Sequence, residues 1–237
     1  MTDCQVHEGI KSNMTSLYQR YRPQSFNAVI GNEATIEKLK AVLSNEKRRP
    51  HSYLLHGPAG CGKTTLGRII VKELGCKGMD FVELDGADFR GIDTVRGIRR
   101  HSPYLPLESK CRVWMLDEAH ALTNDAQTAL LKSLEEPPSH VYFILCTTMP
   151  KKLLPTIRSR CSQYVVSQPS DMQIKYLLRR VVKGESESMS HAVYNRIVHS
   201  SNRIPRQALV VLEQVLAVPG SSRLEAARYV ANGVKLL

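Results

Sequence analysis

Residues 52–65 read SYLLHGPAGCGKTT. A short apolar run of strand length passes directly into three glycines, a lysine and two threonines, and helical periodicity follows over 63–74. This is GxxxxGK[ST] with a strand before it and a helix after it, the context the motif needs. Glycines let the backbone wrap closely around phosphate oxygens. The free N–H groups and the dipole of a helix N-terminus stabilise the negative charge. A plain Gly-rich turn would need neither the lysine nor the flanking strand and helix. Gly57, Pro58, Ala59, Gly60, Cys61, Gly62, Lys63, Thr64 and Thr65 are therefore the expected phosphate cradle. Lys63 would reach the β- and γ-phosphates, and the Thr64 hydroxyl would bind Mg²⁺.

Working outward, short β-branched runs recur at 52–56, 80–85, 111–116, 141–147 and 163–166. Most are nearly continuous rather than alternating, as strands buried on both faces should be. Helical segments fall between them at 63–74, 91–100 and 123–134. Such alternation predicts an α/β domain with a five-stranded parallel sheet and helices on both faces. After residue 168 the strand signal stops. Ser170 to Gln173 has the form of a capping box, and helices are expected at 171–183, 190–200, 205–217 and 222–233, with Pro205 in a first turn. The chain thus divides into an α/β domain, 1–168, and a small all-helical domain, 169–237.

The third run ends in Asp117-Glu118-Ala119-His120. An acid at the carboxyl end of a parallel strand faces the ligand crevice of such sheets. Asp117 would hold the Mg²⁺ shell and Glu118 would orient a water for attack on a γ-phosphate, which favours hydrolysis over simple binding. The plainer alternative is a pair of acids at a helix N-terminus. His120 is expected to serve local structure.

The 237 residues carry a net charge of +11, distributed as 8 basic against 5 acidic side chains over 1–50, 11 against 12 over 51–150, and 14 against 5 over 151–237. The late surplus fits either a polyanionic partner or a solvated face. Six cysteines without a CxxC pair suit reduced thiols in a cytosol. No apolar run of 18 or more residues and no apolar leader occur, so neither a membrane span nor a secretion signal is expected.

In order along the chain, YRPQSF (21–26) with VIGNE (29–33), the phosphate loop, DEAHALTNDAQTALLKSLEEPP (117–138) and TTMPKKLLPTIRSRC (147–161) resemble the AAA+ clamp-loader ATPases, the bacterial DNA polymerase III gamma/tau subunits above all. GADFRGIDTVR (86–96) is similar to replication factor C small subunits. The resemblance covers residues from about 18 to 217. It implies ATP as substrate with Mg²⁺, in the cytosol of a bacterium or of a virus-infected host. Tyr21, Arg22, Pro23, Val29 and Ile30 would enclose the adenine. Thr147 would sense the γ-phosphate, and Arg206 would reach the nucleotide from the helical lid. Ser159-Arg160-Cys161 matches the family's Ser-Arg-Cys element, whose arginine acts on ATP held by a neighbouring subunit; no acid stands beside it in the sequence, and the plainer alternative is a surface arginine or an intrachain ion pair.

The same resemblance implies partners: a sliding clamp, other loader subunits in a pentamer-like ring, and primer–template DNA. Arg90, Arg96, Arg99 and Arg100 lie in one segment, the last three at helical spacing. With Gln127 and Lys132 they would track the DNA backbone. Between this segment and the DEAH strand, the proline-bounded loop 101–109 carries Tyr104, Leu105 and Leu107. Either these fold back over the edge of the core, or they form an exposed wedge for the clamp. Family members carry a four-cysteine zinc module after the first helix. Only Cys76 stands in that region, so no zinc is expected, and no third, collar domain is expected either. Two other functions remain open: a different AAA+ DNA motor such as a helicase loader, or a structural loader subunit that does not hydrolyse.

Overall fold

The computed structural model describes residues 15–231. They form two units, one of Gln24–Ser167 and one that joins the residues up to Pro23 to Gln168 onward.

In the first unit, β1 (Ser52–His56), β2 (Phe81–Asp85), β3 (Arg112–Asp117), β4 (Val141–Thr147) and β5 (Ser162–Val165) make one sheet in the order β2-β3-β4-β1-β5. Every pairing is parallel. Successive side chains of a strand point to opposite faces, and the core divides accordingly. Tyr53, Leu55, Val113, Met115, Ile144 and Cys146 pack on one face, together with buried residues of α2 (Glu33–Ser44) and α3 (Lys63–Glu73). Leu54, Trp114, Leu116, Phe143 and Leu145 pack on the other, with α4 (Ile92–His101), α5 (Asn124–Glu135) and α6 (Pro155–Arg160). The sheet is thus buried on both sides, which is why its strands read as apolar runs.

The second unit holds α1 (Leu17–Arg20), α7 (Asp171–Gly184), α8 (His191–Ser200), α9 (Pro205–Leu216) and α10 (Arg223–Ala231). The predicted capping box is present in both directions: Ser170 Oγ accepts the Gln173 N–H (3.2 Å) and Gln173 Oε1 accepts the Ser170 N–H (2.8 Å). Pro205 sits in the first turn of α9. The end of the last predicted helix, residues 232 and 233, lies outside the described residues. Among the described residues no helix is long and apolar enough to cross a membrane.

One difference from the sequence expectation has a clear cause. The residues before Pro23 do not join the α/β unit. Leu17 is buried and its N–H donates to Glu213 of α9 (3.0 Å), while Arg20 and the Tyr21 hydroxyl both engage Glu185 (2.7 and 2.6 Å). These partners lie more than 160 positions away, beyond any local pattern. Pro155 starts α6, where the first-turn position needs no N–H donor.

Candidate active site

The loop from Gly57 to Gly62 joins β1 to α3 at the carboxyl edge of the sheet. Gly60 and Gly62 have φ of 71° and 99°, and Gly62 stands at the N-cap of α3. Gly57 is required for space: a Cβ there would lie 1.9 Å from the Val166 carbonyl oxygen. Lys63 is 5 % exposed, and its ammonium donates to the carbonyls of Gly57 and Pro58 (3.1 and 2.9 Å). Burial raises the pKa of the neighbouring Cys61 thiol, the Lys63 charge opposing, so it stays protonated. Burial also lowers the pKa of His56, which favours its neutral form.

Residues 53 positions apart meet beside this loop. Thr64 Oγ1 donates to Asp117 Oδ2 at 2.6 Å. A hydroxyl and a carboxylate in contact are the donors a hard cation takes. Among the described residues no group of three or more His, Cys, Asp or Glu could hold a metal. A Mg²⁺ held by Thr64 and Asp117 would thus take its other ligands from water and phosphate, its usual habit.

Glu118, at the N-cap of the single turn Ala119–Ala121, adopts φ 47°, ψ 43° and makes no side-chain cap to it. A non-glycine residue in this region costs on the order of 1–3 kcal/mol and persists where its surroundings over-determine it. They do so here. Gly86 donates its N–H to the Asp117 carbonyl (2.7 Å), and a Cβ on Gly86 would come within 2.6 Å of the Glu118 carbonyl oxygen. The Glu118 carboxylate accepts the Thr148 hydroxyl (3.2 Å) and lies 3.2 Å from His120 Nδ1. That same nitrogen is 3.1 Å from the hydroxyl of Thr147, which is fully buried at the end of β4. Sequence reading missed Gly86, Thr148 and the contacts of His120. Gly86 alone left a signal, a glycine directly after a strand.

The remaining predicted residues are distributed as follows. Val29 and Ile30 are half-buried in the α/β unit, Val29 against its core. Tyr21, Arg22 and Pro23 belong to the helical unit, where the Tyr21 ring covers Gly184. Burial and the Glu185 carboxylate both raise the Tyr21 pKa. Arg206 is exposed on α9, its guanidinium 6.0 Å from the Tyr18 ring. Arg160, at the end of α6, is not without an acid: its guanidinium pairs with Glu135 of α5 and donates to the Thr156 carbonyl (3.1 Å). The acid is absent only from the neighbouring sequence.

Among the predicted DNA contacts, Arg96, Arg99 and Arg100 are exposed on α4 and Lys132 on α5, with Arg96 paired to Asp93 (2.9 Å). Arg90 donates to the Ala87 carbonyl (2.8 Å). Gln127 is a correction. It is 1 % exposed, its amide N–H groups donate to the Leu122 and Lys152 carbonyls, and its oxygen accepts the Leu154 N–H. It ties α5 to the segment before α6 and is not available to a phosphate.

The loop after α4 does not fold its apolar residues back over the core. Tyr104, Leu105 and Leu107 are 63, 73 and 72 % exposed and do not cover the core. The backbone beneath them is firmly held. Asp80, fully buried, accepts the N–H groups of Leu107, Glu108 and Ser109 (2.8, 2.7 and 2.8 Å), with Arg112 3.6 Å away. Arg112 also donates to the His101 carbonyl (2.6 Å), and His140 Nε2 donates to those of Ser102 and Tyr104 (both 3.1 Å). Burial opposes the charge on Asp80, but the three N–H donors and Arg112 outweigh it, and its pKa lies below the ordinary carboxylate value.

A strand–loop–helix phosphate cradle, an acid pair at the end of β3 and the order β2-β3-β4-β1-β5 define a P-loop nucleotide-binding chain with the AAA+ fold. Within that class it resembles the clamp-loader subunits. The model of the family described as DNA polymerase III, delta subunit, matches residues 79–170. The DNA polymerase III subunit gamma/tau of Mycobacterium tuberculosis is 38 % identical over 225 residues, 85 % of this chain and 39 % of that one. The gamma subunit of Buchnera aphidicola is 33 % identical over 86 % of this chain and 62 % of its own, and the tau subunit of Escherichia coli is 31 % identical over 85 % and 34 %. The chain therefore spans about one third to three fifths of the length of these relatives. In fold it is similar to RuvB, the Holliday junction branch migration motor of Thermotoga maritima, with a TM-score of 0.74 and 21 % identity over 91 % of this chain and 76 % of that one.

Proposed function

We propose that this chain is an ATP-hydrolysing subunit of a loader that opens a sliding clamp and places it on primer–template DNA. The observation that carries the reading is the contact of Thr64 with Asp117 beside the phosphate loop, with Glu118 held next to them. A chain that only bound nucleotide would not need the second acid, nor its strained backbone.

In this reading Lys63 turns from its loop carbonyls to the β- and γ-phosphates. Thr64 and Asp117 would hold Mg²⁺, which when bound would offset the charge of the phosphates. Glu118 orients a water in line with the γ-phosphorus, and Thr147 donates its hydroxyl to a γ-oxygen. The water oxygen bonds to the γ-phosphorus as the bond from that phosphorus to the bridging oxygen breaks, the water proton passing to Glu118, and ADP and phosphate are left. The resemblance assigns Tyr21, Arg22, Pro23, Val29 and Ile30 to the base and Arg206 to sensing nucleotide state. Arg160 acts on the site of a neighbouring subunit. Its pair with Glu135 is part-exposed, and such pairs contribute about 0–1 kcal/mol, so a γ-phosphate can displace it.

The wedge of Tyr104, Leu105 and Leu107 docks on the clamp. Exposed apolar side chains on a fixed backbone lose little entropy on binding, which suits an interface anchor. The arginines of α4, with Lys132, follow the DNA phosphates without reading bases.

The test is ATP turnover by the chain assembled with its loader partners. Sliding clamp and primer–template DNA together should stimulate it. A turnover rate indifferent to both would exclude the loader reading while leaving an ATPase. No ATP binding at all would exclude both.

A further inference from the structure

One ring nitrogen joins the two residues expected to face the γ-phosphate. His120 Nδ1 lies 3.2 Å from Glu118 Oε2 and 3.1 Å from Thr147 Oγ1. A carboxylate only accepts hydrogen bonds. If Nδ1 were bare, two lone pairs would face each other across 3.2 Å. The proton therefore belongs on Nδ1, from which it donates to Glu118. The Thr147 oxygen already accepts the Met149 N–H (3.0 Å). With a donor at Nδ1, the Thr147 hydroxyl proton is not drawn toward the ring and is left for another acceptor. The second holder of Glu118, the Thr148 hydroxyl, comes from the residue after Thr147.

We propose that His120 is a positioning residue for hydrolysis: its Nδ1–H fixes the Glu118 carboxylate and leaves the Thr147 hydroxyl free to donate to a phosphate oxygen. The inference rests on the ATPase reading above and adds a positioning residue to it. A histidine serving only local structure would be replaceable by any side chain of similar bulk. A positioning histidine requires a donor at the Nδ1 position. Asparagine places an amide N–H near that position, whereas glutamine places one near Nε2.

The experiment compares His120→Asn, His120→Gln and His120→Ala in the full chain, assembled with loader partners, clamp and DNA. The Ala and Gln variants should lower kcat roughly 10- to 100-fold, the range for residues that orient a reacting group, with ATP Kd essentially unchanged. Asn should restore most of the rate. Gln rescuing as well as Asn, or Ala turning over like the parent, would overturn the proposal. If Ala melts early, the Asn and Gln variants decide between them. Should the parent itself fail to hydrolyse ATP, the ATPase reading falls first, and the tautomer tests the rest. Imidazole ¹⁵N resonances, assigned to His120 by their loss in His120→Asn, should report a proton on Nδ1. A bare Nδ1 would overturn the proposal without reference to activity.

Discussion

The carboxyl edge of the sheet and the surface formed by α4, its following loop and α5 are held in different ways. At the sheet edge, Lys63, Thr64, Asp117, Glu118 and Thr147 follow directly from parallel strands in fixed register, so motifs far apart in sequence arrive at hydrogen-bond distance. On the α4–α5 surface, position is decided by single tertiary contacts. Gln127 is drawn into the core by three backbone partners, while Tyr104, Leu105 and Leu107 are held outward by Asp80, Arg112 and His140. Residue type alone misjudged the first and left the second open. Strand ends transmit sequence motifs into space faithfully; helix faces and loops depend on partners that the local sequence does not name.

Substitutions can sharpen this contrast. The largest effect after the site itself is expected at Arg160. Arg160→Ala should keep ATP affinity and lose clamp-stimulated turnover by roughly 10³-fold, the lower end for an arginine supplied in trans. Mixing it with Lys63→Ala in one assembly should recover part of the rate. Absence of recovery at every mixing ratio would make Arg160 a partner of Glu135 and nothing more.

Asp80→Asn should cost about 2–4 kcal/mol of stability. It puts an amide N–H among backbone donors in a buried place, leaving polar groups unpaired. Because the Asp80 pKa is depressed in the folded state, its contribution is full above about pH 4 and is lost as pH falls through the folded value. Thermal melts of parent and variant should therefore converge in acid. Equal separation at pH 7 and pH 2 would show that the charge is not what holds the loop.

Tyr104→Ala with Leu105→Ala removes the wedge without touching its base. Clamp affinity should weaken by roughly 2 kcal/mol or more, as for interface anchors, with the melting temperature nearly unchanged. Intact affinity with an early melt would return these residues to the core. The smallest effect is electrostatic. Charge reversal at Arg96 and Arg100 should weaken DNA binding more than reversal at Arg179 and Arg180, and the difference should shrink with added salt. The opposite ranking would move DNA to the helical unit, where the late basic surplus lies.

The five strands and the helices over 63–74, 91–100, 123–134 and 171–217 were legible because a sheet buried on both faces writes continuous apolar runs, and because caps such as Ser170 with Gln173 are local. The helix Glu33–Ser44 was not recognised, although Ile36, Leu39 and Leu43 are buried at helical spacing. The attachment of Leu17 and Tyr21 to the helical unit could not be read, since Glu213 and Glu185 lie far along the chain. In the site, the acids and the loop were legible as motifs. The meeting of His120 and Thr148 on Glu118, with Thr147 on the same His120 nitrogen, was not, because it depends on the left-handed turn that Gly86 makes room for.

The most direct measurement of the central claim is ATP affinity and turnover for Glu118→Gln beside Lys63→Ala and the parent, with clamp and DNA present. Glu118→Gln keeps the size of the side chain and removes its charge. It should bind ATP like the parent and hydrolyse it at least roughly 10²-fold more slowly, the scale of a lost general base, while Lys63→Ala should lose binding. Parent-like turnover by Glu118→Gln would contradict the account, because the water would then be oriented by something other than the acid that this strained turn presents.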